Sequence, residues 1–355
     1  MDTKTIAVLG LGVMGSGMAA SLLGHGYLVL VHNRTAAKAA PLLDRGAELA
    51  ASAEAAVAGA DRVLLSLADE PAVDAVLAAA GPAIRPGLLI VDTSTVSAGY
   101  SRALTARLAA AGVTRIEACV LGNPAQAAAG ELRVLAAGAR PGVESADDVL
   151  SAIGREVSYL GPAGNAATTK LVFNLLLGGQ VAALAEAVNY GVAAGLDRDR
   201  LLAAIGASGF SSKVLSFRAE LMRSRRYEPA AFRSALMAKD LKLGTTAAAE
   251  AGVGTPVLTA AALAYEAVVA AGAGDADAAI LIDLADEVTG VGRGSAVRAD
   301  ADSAADVVNA AGAVTGRAAE ARTDTADLAA DPDPAGRRDG EPVAAILIDT
   351  PGGPA

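Results

Sequence analysis

The sequence predicts an α/β domain followed by an all-α domain, and three observations carry that prediction. From Thr3 to about Leu160, short β-branched or leucine-rich runs alternate with alanine-rich helical stretches, the pattern of a parallel sheet covered by helices. Beyond Gly161-Pro162 the alternation stops, and apolar residues recur at helical spacing through Leu171, Leu175, Val181, Leu184 and Val188. The length of 355 residues exceeds what one small core holds and leaves room for a cleft between two domains.

Seven strands are expected: Thr5 to Leu9, Tyr27 to His32, Arg62 to Leu67, Leu88 to Asp92, Arg115 to Cys119, Leu132 to Ala136 and Glu156 to Leu160. Most are bounded by Gly, Pro or Asp, and a helix from Met14 to Leu23 follows the first. After Asn165 no strand is expected, and breaks at Gly195, Gly206, Gly209, 252–256 and 272–274 divide the second half into five or six helices. Domain limits of 1–162, 163–290 and a tail at 291–355 follow. The tail is rich in Ala, Asp, Gly and Arg, carries a net of five negative charges and reads as disordered.

Composition narrows the functional classes. Hydrophobic residues make up 53% of the chain but aromatic ones only 3%, with no Trp, so Ala, Leu and Val must build the core. Lys170 and Glu186 bracket the most apolar stretch and Asn174 and Gln180 interrupt it, so no membrane-spanning helix is expected. The first apolar run leads straight into a glycine turn and reads as a strand rather than a signal peptide. One cysteine, Cys119, and two histidines, His25 and His32, leave no metal cluster and suit a reducing, cytoplasmic setting. A net charge of -10 disfavours nucleic acid as a partner.

The turn Gly10-Leu11-Gly12-Val13-Met14-Gly15 follows a strand and opens a helix, and a second strand begins at Tyr27. That context makes the glycine pattern a dinucleotide fingerprint of the Rossmann type. The first glycine makes the turn, the second admits the pyrophosphate and the third lets helix and strand pack closely. The second strand ends in His32-Asn33-Arg34-Thr35, without the carboxylate that accepts from a ribose 2′-hydroxyl. Arg34 can fork onto a 2′-phosphate, Asn33 and Thr35 can hydrogen-bond to it, and Lys38 adds charge, so NADP(H) is expected over NAD(H).

These residues, with Ser16-Gly17-Met18-Ala19 after the turn, resemble the β-hydroxyacid dehydrogenases. Three later segments agree: 91–97 (VDTSTVS), Gly161-Pro162-Ala163-Gly164 through Lys170 and Asn174, and Lys239-Asp240-Leu241. The resemblance covers about residues 3 to 290. It implies an α/β Rossmann domain joined by a long interdomain helix to an all-α domain that also forms a homodimer or homotetramer. It implies further that Lys170 is the general acid/base for a small hydroxy or carbonyl substrate, and that Asn174 on the same helical face orients that substrate. Lys239 would approach the cofactor or close the cleft, and Asp240 would position its helix. Leu67 and Thr95, at strand-loop transitions, would contact the cofactor through backbone and hydroxyl.

The resemblance also marks a departure. Where the family's loop reads Asp-x-Pro-Val-Ser-Gly-Gly and receives a substrate carboxylate, this chain has Glu117-Ala118-Cys119-Val120-Leu121-Gly122-Asn123. Gly122 retains an N–H and Asn123 adds an amide, whereas Leu121 removes a hydroxyl. Cys119 reads as a packing residue. Phe173 stands where 6-phosphogluconate dehydrogenases carry His, which disfavours that substrate. An imine reductase-like NADPH enzyme and a non-catalytic cofactor-binding module remain open alternatives.

Overall fold

A computed structural model describes residues 4–288, with side chains to residue 284, all within one compact unit. Eight strands form one sheet: β1 (Thr5–Leu9), β2 (Leu28–His32), β3 (Glu48–Leu49), β4 (Arg62–Leu65), β5 (Leu89–Asp92), β6 (Thr114–Leu121), β7 (Leu132–Ala137) and β8 (Gly154–Tyr159). Their order is β3-β2-β1-β4-β5-β6-β7-β8. Strands β1 to β6 are parallel, β7 runs antiparallel to β6, and β8 is parallel to β7. The sheet thus departs from the expected parallel arrangement in its last two strands. The short edge strand β3 was not expected either, since two exposed residues carry no alternation to read.

Eight helices accompany the sheet: α1 (Val13–Gly24), α2 (Ala40–Leu43), α3 (Ala53–Ala58), α4 (Glu70–Ala80), α5 (Ala98–Ala110), α6 (Pro124–Ala129), α7 (Arg140–Ser145) and α8 (Asp147–Ile153). Alternate residues of a strand point to opposite faces, so β1 feeds two cores. Ile6 and Val8 pack with Met18 and Leu22 of α1 and Leu150 and Ile153 of α8. Ala7 and Leu9 pack on the other face with Val57, Val73 and Leu104.

Six further helices follow: α9 (Asn165–Ala193), α10 (Arg198–Ala207), α11 (Lys213–Ser224), α12 (Ser234–Glu250), α13 (Pro256–Ala270) and α14 (Leu281–Val288). Their core is built on Val181, Leu184, Val188, Met222, Met237, Leu241 and the buried Tyr265, whose hydroxyl donates to the Ala278 carbonyl at 3.1 Å. Small residues replace aromatics in setting the helix spacing. A Cβ on Gly178 of α9 would lie 2.7 Å from the Leu241 side chain, and one on Gly244 of α12 would lie 2.7 Å from the Leu175 side chain. This reciprocal leucine-over-glycine packing draws α9 and α12 together beside Asn174 and Asp240.

One expectation needs correction. Helix α9 is 29 residues long with a window of mean hydropathy 1.7, long and apolar enough to cross a membrane. Half of that window is buried within the fold, and the helix forms the spine of the all-α layer. The window contains at least one of Lys170 and Glu186 and is apolar enough despite that charge. The expected tail from residue 291 lies outside the described residues.

Candidate functional site

The glycine turn joins β1 to α1 at the point where the chain turns to opposite sides of the sheet, β2 on one side of β1 and β4 on the other. Ligands bind at that switch point, outside the carboxyl ends of the strands. Each glycine meets a different surrounding. Gly10 has φ +103°, and a Cβ there would lie 2.3 Å from the Ser66 carbonyl oxygen. A Cβ on Gly15 would lie 2.1 Å from the Gly10 carbonyl oxygen, whereas one on Gly12 would meet nothing within 4 Å. The open side of Gly12 borders the start of α1, which has no side-chain cap and no acidic residue in its first turn. Uncapped N–H groups facing open space fit a dinucleotide pyrophosphate. Leu11 is buried, while Val13 is half exposed and Met14 partly so.

The end of β2 is shaped by Asn33. Its Oδ1 accepts the Leu11 N–H at 3.0 Å, and its Nδ2 donates to the Thr35 carbonyl at 3.0 Å. Both ends of the amide therefore tie the glycine turn to the following loop, a use different from the expected 2′-phosphate contact. Arg34, Thr35 and Lys38 are exposed, and neither cation has an ion-pair partner among the described residues.

The loops after β4 and β5 are braced against each other. Leu67 donates its N–H to Ser94 Oγ at 3.0 Å, so the backbone donor expected to face the cofactor is already engaged. The Ser94 N–H donates to Asp92 Oδ1 at 2.9 Å. Thr95 contributes its carbonyl rather than its hydroxyl to a contact across the cleft: Lys239 Nζ donates to it at 2.6 Å, joining α12 to this loop. Lys239 Nζ also lies 2.7 Å from Asp240 Oδ1, too poorly aligned for a hydrogen bond, which leaves that buried oxygen without one.

Lys170 and Asn174 lie one turn apart on α9. Asn174 is buried and donates from Nδ2 to Asp240 Oδ2 at 2.6 Å. Asp240, also buried, therefore does more than position its helix: it joins Asn174 and Lys239 and lies close enough to Lys170 to act on its charge. Desolvation pushes the Lys170 ammonium below the ordinary lysine range; Asp240 opposes that shift and Lys239 adds to it. Lys170 has no ion-pair partner within bonding distance among the described residues. Cys119 is buried among Leu135, Ala137 and Ala166, and burial pushes its thiol up to about 12, which keeps it protonated and inert.

The start of α9 is held by a residue the sequence reading left without a role. Glu117 of β6 accepts the N–H groups of Gly164, of Ala166 at 3.0 Å and of Ala167 at 3.1 Å, together with the Ser101 hydroxyl. Its position one residue-pair from Arg115 on the same face of a buried strand was a readable signal, because buried charges need partners.

At the end of β6, Gly122 has φ +148°, and a Cβ there would lie 2.7 Å from the Leu132 side chain. Asn123 then caps α6: its Oδ1 accepts the Gln126 N–H at 3.0 Å, and its own N–H donates to Gln126 Oε1 at 3.1 Å. This capping box engages the oxygen of the amide that Asn123 was expected to offer a substrate. Leu121 packs with Cys119 and Ala166, one turn before Lys170.

Comparison with known proteins agrees with this geometry. Residues 5–161 match the NAD binding domain of 6-phosphogluconate dehydrogenase, and residues 164–285 match the NAD-binding domain of NADP-dependent 3-hydroxyisobutyrate dehydrogenase. The chain is 33% identical to glyoxylate/succinic semialdehyde reductase 2 of Arabidopsis thaliana over 80% of each protein. It is 31% identical to 2-(hydroxymethyl)glutarate dehydrogenase of Eubacterium barkeri, over 81% of this chain and 96% of that one. Among solved structures, 3-hydroxyisobutyrate dehydrogenase of Mycobacterium tuberculosis with L-serine superposes with a TM-score of 0.70 at 30% identity, covering 80% of this chain and 99% of that one. By these matches over both halves of the described chain, it belongs to the β-hydroxyacid dehydrogenase family of nicotinamide-dependent oxidoreductases.

Proposed function

We propose that the protein interconverts a small hydroxy acid or alcohol and its aldehyde or keto form, prefers NADP(H), and uses Lys170 as the proton carrier. The observation that carries this reading is the desolvated, unpaired Lys170 amine beside the Asn174–Asp240 pair at the ligand-binding edge of the sheet. The nicotinamide, when bound, supplies or accepts hydride at C4. Gly10 to Gly15 and the start of α1 hold the phosphates, Arg34 receives the 2′-phosphate with Thr35 and Lys38 beside it, and Lys239 closes the cleft through Thr95. In reduction the Lys170 ammonium gives its proton to the substrate oxygen; in oxidation the neutral amine takes the hydroxyl proton. Desolvation brings these two states closer in population near neutrality, which suits one group to both directions. Asp240 fixes the Asn174 amide, and that amide orients the substrate.

Leu121 and the closed Asn123–Gln126 box favour a second reading of the substrate, a neutral aldehyde or a cyclic imine in place of a carboxylate. Assembly through the helical layer belongs to the same proposal. It is supported by half-exposed or fully exposed Val172, Phe173, Leu176, Tyr190 and Phe210. A cytoplasmic setting is supported by the single, buried cysteine.

An NADPH-coupled screen of C3 to C6 aldehydes, keto acids and cyclic imines tests the reading. Turnover by the wild type and its loss in Lys170→Ala, with NADPH affinity retained, is the expected result. A Lys170→Ala variant as active as wild type refutes the mechanism, and NADPH binding without turnover on any substrate points to a binding module.

A further inference from the structure

We propose that Glu117, Ser101 and Arg115 are positioning residues that fix the start of helix α9 to the two loops flanking the nicotinamide site. The inference rests on Lys170 as the proton carrier. A continuous chain of buried polar groups makes the connection. Leu67 N–H donates to Ser94 Oγ, and Ser94 N–H donates to Asp92 Oδ1. Arg115 donates to Asp92 Oδ2 from Nη2 at 2.7 Å and from Nε at 3.1 Å, and its Nη1 donates to Ser101 Oγ at 2.9 Å. Ser101 Oγ in turn donates to Glu117, whose two oxygens take the N–H groups of Gly164, at the N-cap of α9, and of Ala166 and Ala167 in its first turn. Asp92, Ser101, Arg115 and Glu117 are all at most 3% exposed.

Stability alone does not explain such a chain, because a buried ion pair is commonly replaced by apolar residues without loss of stability. Its placement does. Ala166, Lys170 and Asn174 recur at intervals of four and share one helical face, so a pivot at the capped turn moves both functional side chains. Gly164, the residue at the N-cap, has no side chain with which to cap the helix. Glu117 therefore supplies the anchor, and Arg115 refers that anchor to the loops carrying Leu67 and Thr95.

Glu117→Gln tests the proposal, since an amide keeps the shape but turns an N–H₂ toward a donor it should accept from. Four readouts are needed: kcat, substrate KM, NADPH affinity by fluorescence, and hydrogen exchange across residues 163–172. We expect kcat to fall about 10- to 100-fold, as a displacement of about 1 Å produces, while NADPH affinity changes by less than about twofold and exchange in the first turn rises. Glu117→Asp, which keeps the charge, should recover part of kcat. A kcat within about twofold of wild type, or parallel losses of kcat and NADPH affinity, overturns the proposal. Should Glu117→Gln not fold, Ser101→Ala removes only the middle link and is judged by the same criteria. A wild type without turnover counts against the Lys170 reading, while unchanged exchange in Glu117→Gln counts against the anchor itself.

Discussion

Alanine at Gly12 and alanine at Gly15 each add one methyl group to the same turn, and the structure predicts that only the second lowers stability as well as binding. At Gly12 the backbone has φ -72° and ψ -179°, open to any residue, and the added Cβ meets no protein atom within 4 Å. Loss of chain freedom in the unfolded state stabilises such a change by about 0.4–1 kcal/mol, and alanine's poorer fit at a helix N-cap offsets a similar amount. Net stability stays within about 1 kcal/mol, or about 4 °C in Tm. The same Cβ intrudes where phosphate oxygens would meet the first-turn N–H groups. Losing one such charge-assisted hydrogen bond costs about 1.5–3 kcal/mol, hence about 10- to 100-fold in NADPH affinity. At Gly15 the Cβ would lie 2.1 Å from the Gly10 carbonyl oxygen, more than about 1 Å inside ordinary van der Waals separation. Overpacking of that kind costs about 1–3 kcal/mol and lowers Tm along with binding. Thermal denaturation without ligand and a fluorescence titration with NADPH separate the cases. Wild-type affinity in Gly12→Ala, or a Tm loss in Gly12→Ala equal to that in Gly15→Ala, refutes the assignment of ligand space to Gly12.

Arg34→Ala should weaken NADPH by about 10- to 100-fold, the worth of a bidentate phosphate contact, and leave NADH nearly unchanged; equal effects on both cofactors would remove Arg34 from the 2′-phosphate site. Asp240→Asn tests the electrostatics of Lys170. The carboxylate favours the ammonium, so its removal lowers the lysine pKa further. Alcohol oxidation, which needs the neutral amine, should then rise at lower pH than in wild type, and carbonyl reduction, which needs the ammonium, should decline from lower pH. Paired pH profiles of kcat in the two directions check this, and limbs that stay put or move upward contradict it.

The sequence conveyed most of what is local. The glycine turn, the strand β1 and the long run of helical spacing each depend on neighbours in the chain, and all three are where their patterns indicated. The reversal of β7 left no such trace, because α6 intervenes between β6 and β7 in place of a tight turn with its own residue signature. Asn33 and Asn123 were legible as polar residues near the site but not as residues consumed by the protein. For Asn123 a signal existed: Asn-Pro-Ala-Gln has the residue types of a capping box with Pro at the first helical position. The partnership of Asn174 with Asp240 spans 66 residues and depends on how α9 and α12 pack, which no local pattern encodes. Arg115 and Glu117 stood as two charges on one face of a strand otherwise fit for burial, and that anomaly is the trace a buried network leaves in sequence.

The reversed strands at the edge of the sheet decide where Lys170 is delivered. In a run of parallel strands, each helix following a strand turns back and travels away from the carboxyl edge. Strand β8 points opposite to β1 through β6, so the helix that turns back from it heads in their direction. Helix α9 starts beside Glu117, midway along β6, passes Cys119 with Ala166 and continues toward the edge that carries the glycine turn and Thr95. A single change of strand direction thus converts a returning crossover into an outgoing beam. Lys170 rides on that beam, so its placement follows from the direction of the strands before it follows from any local contact.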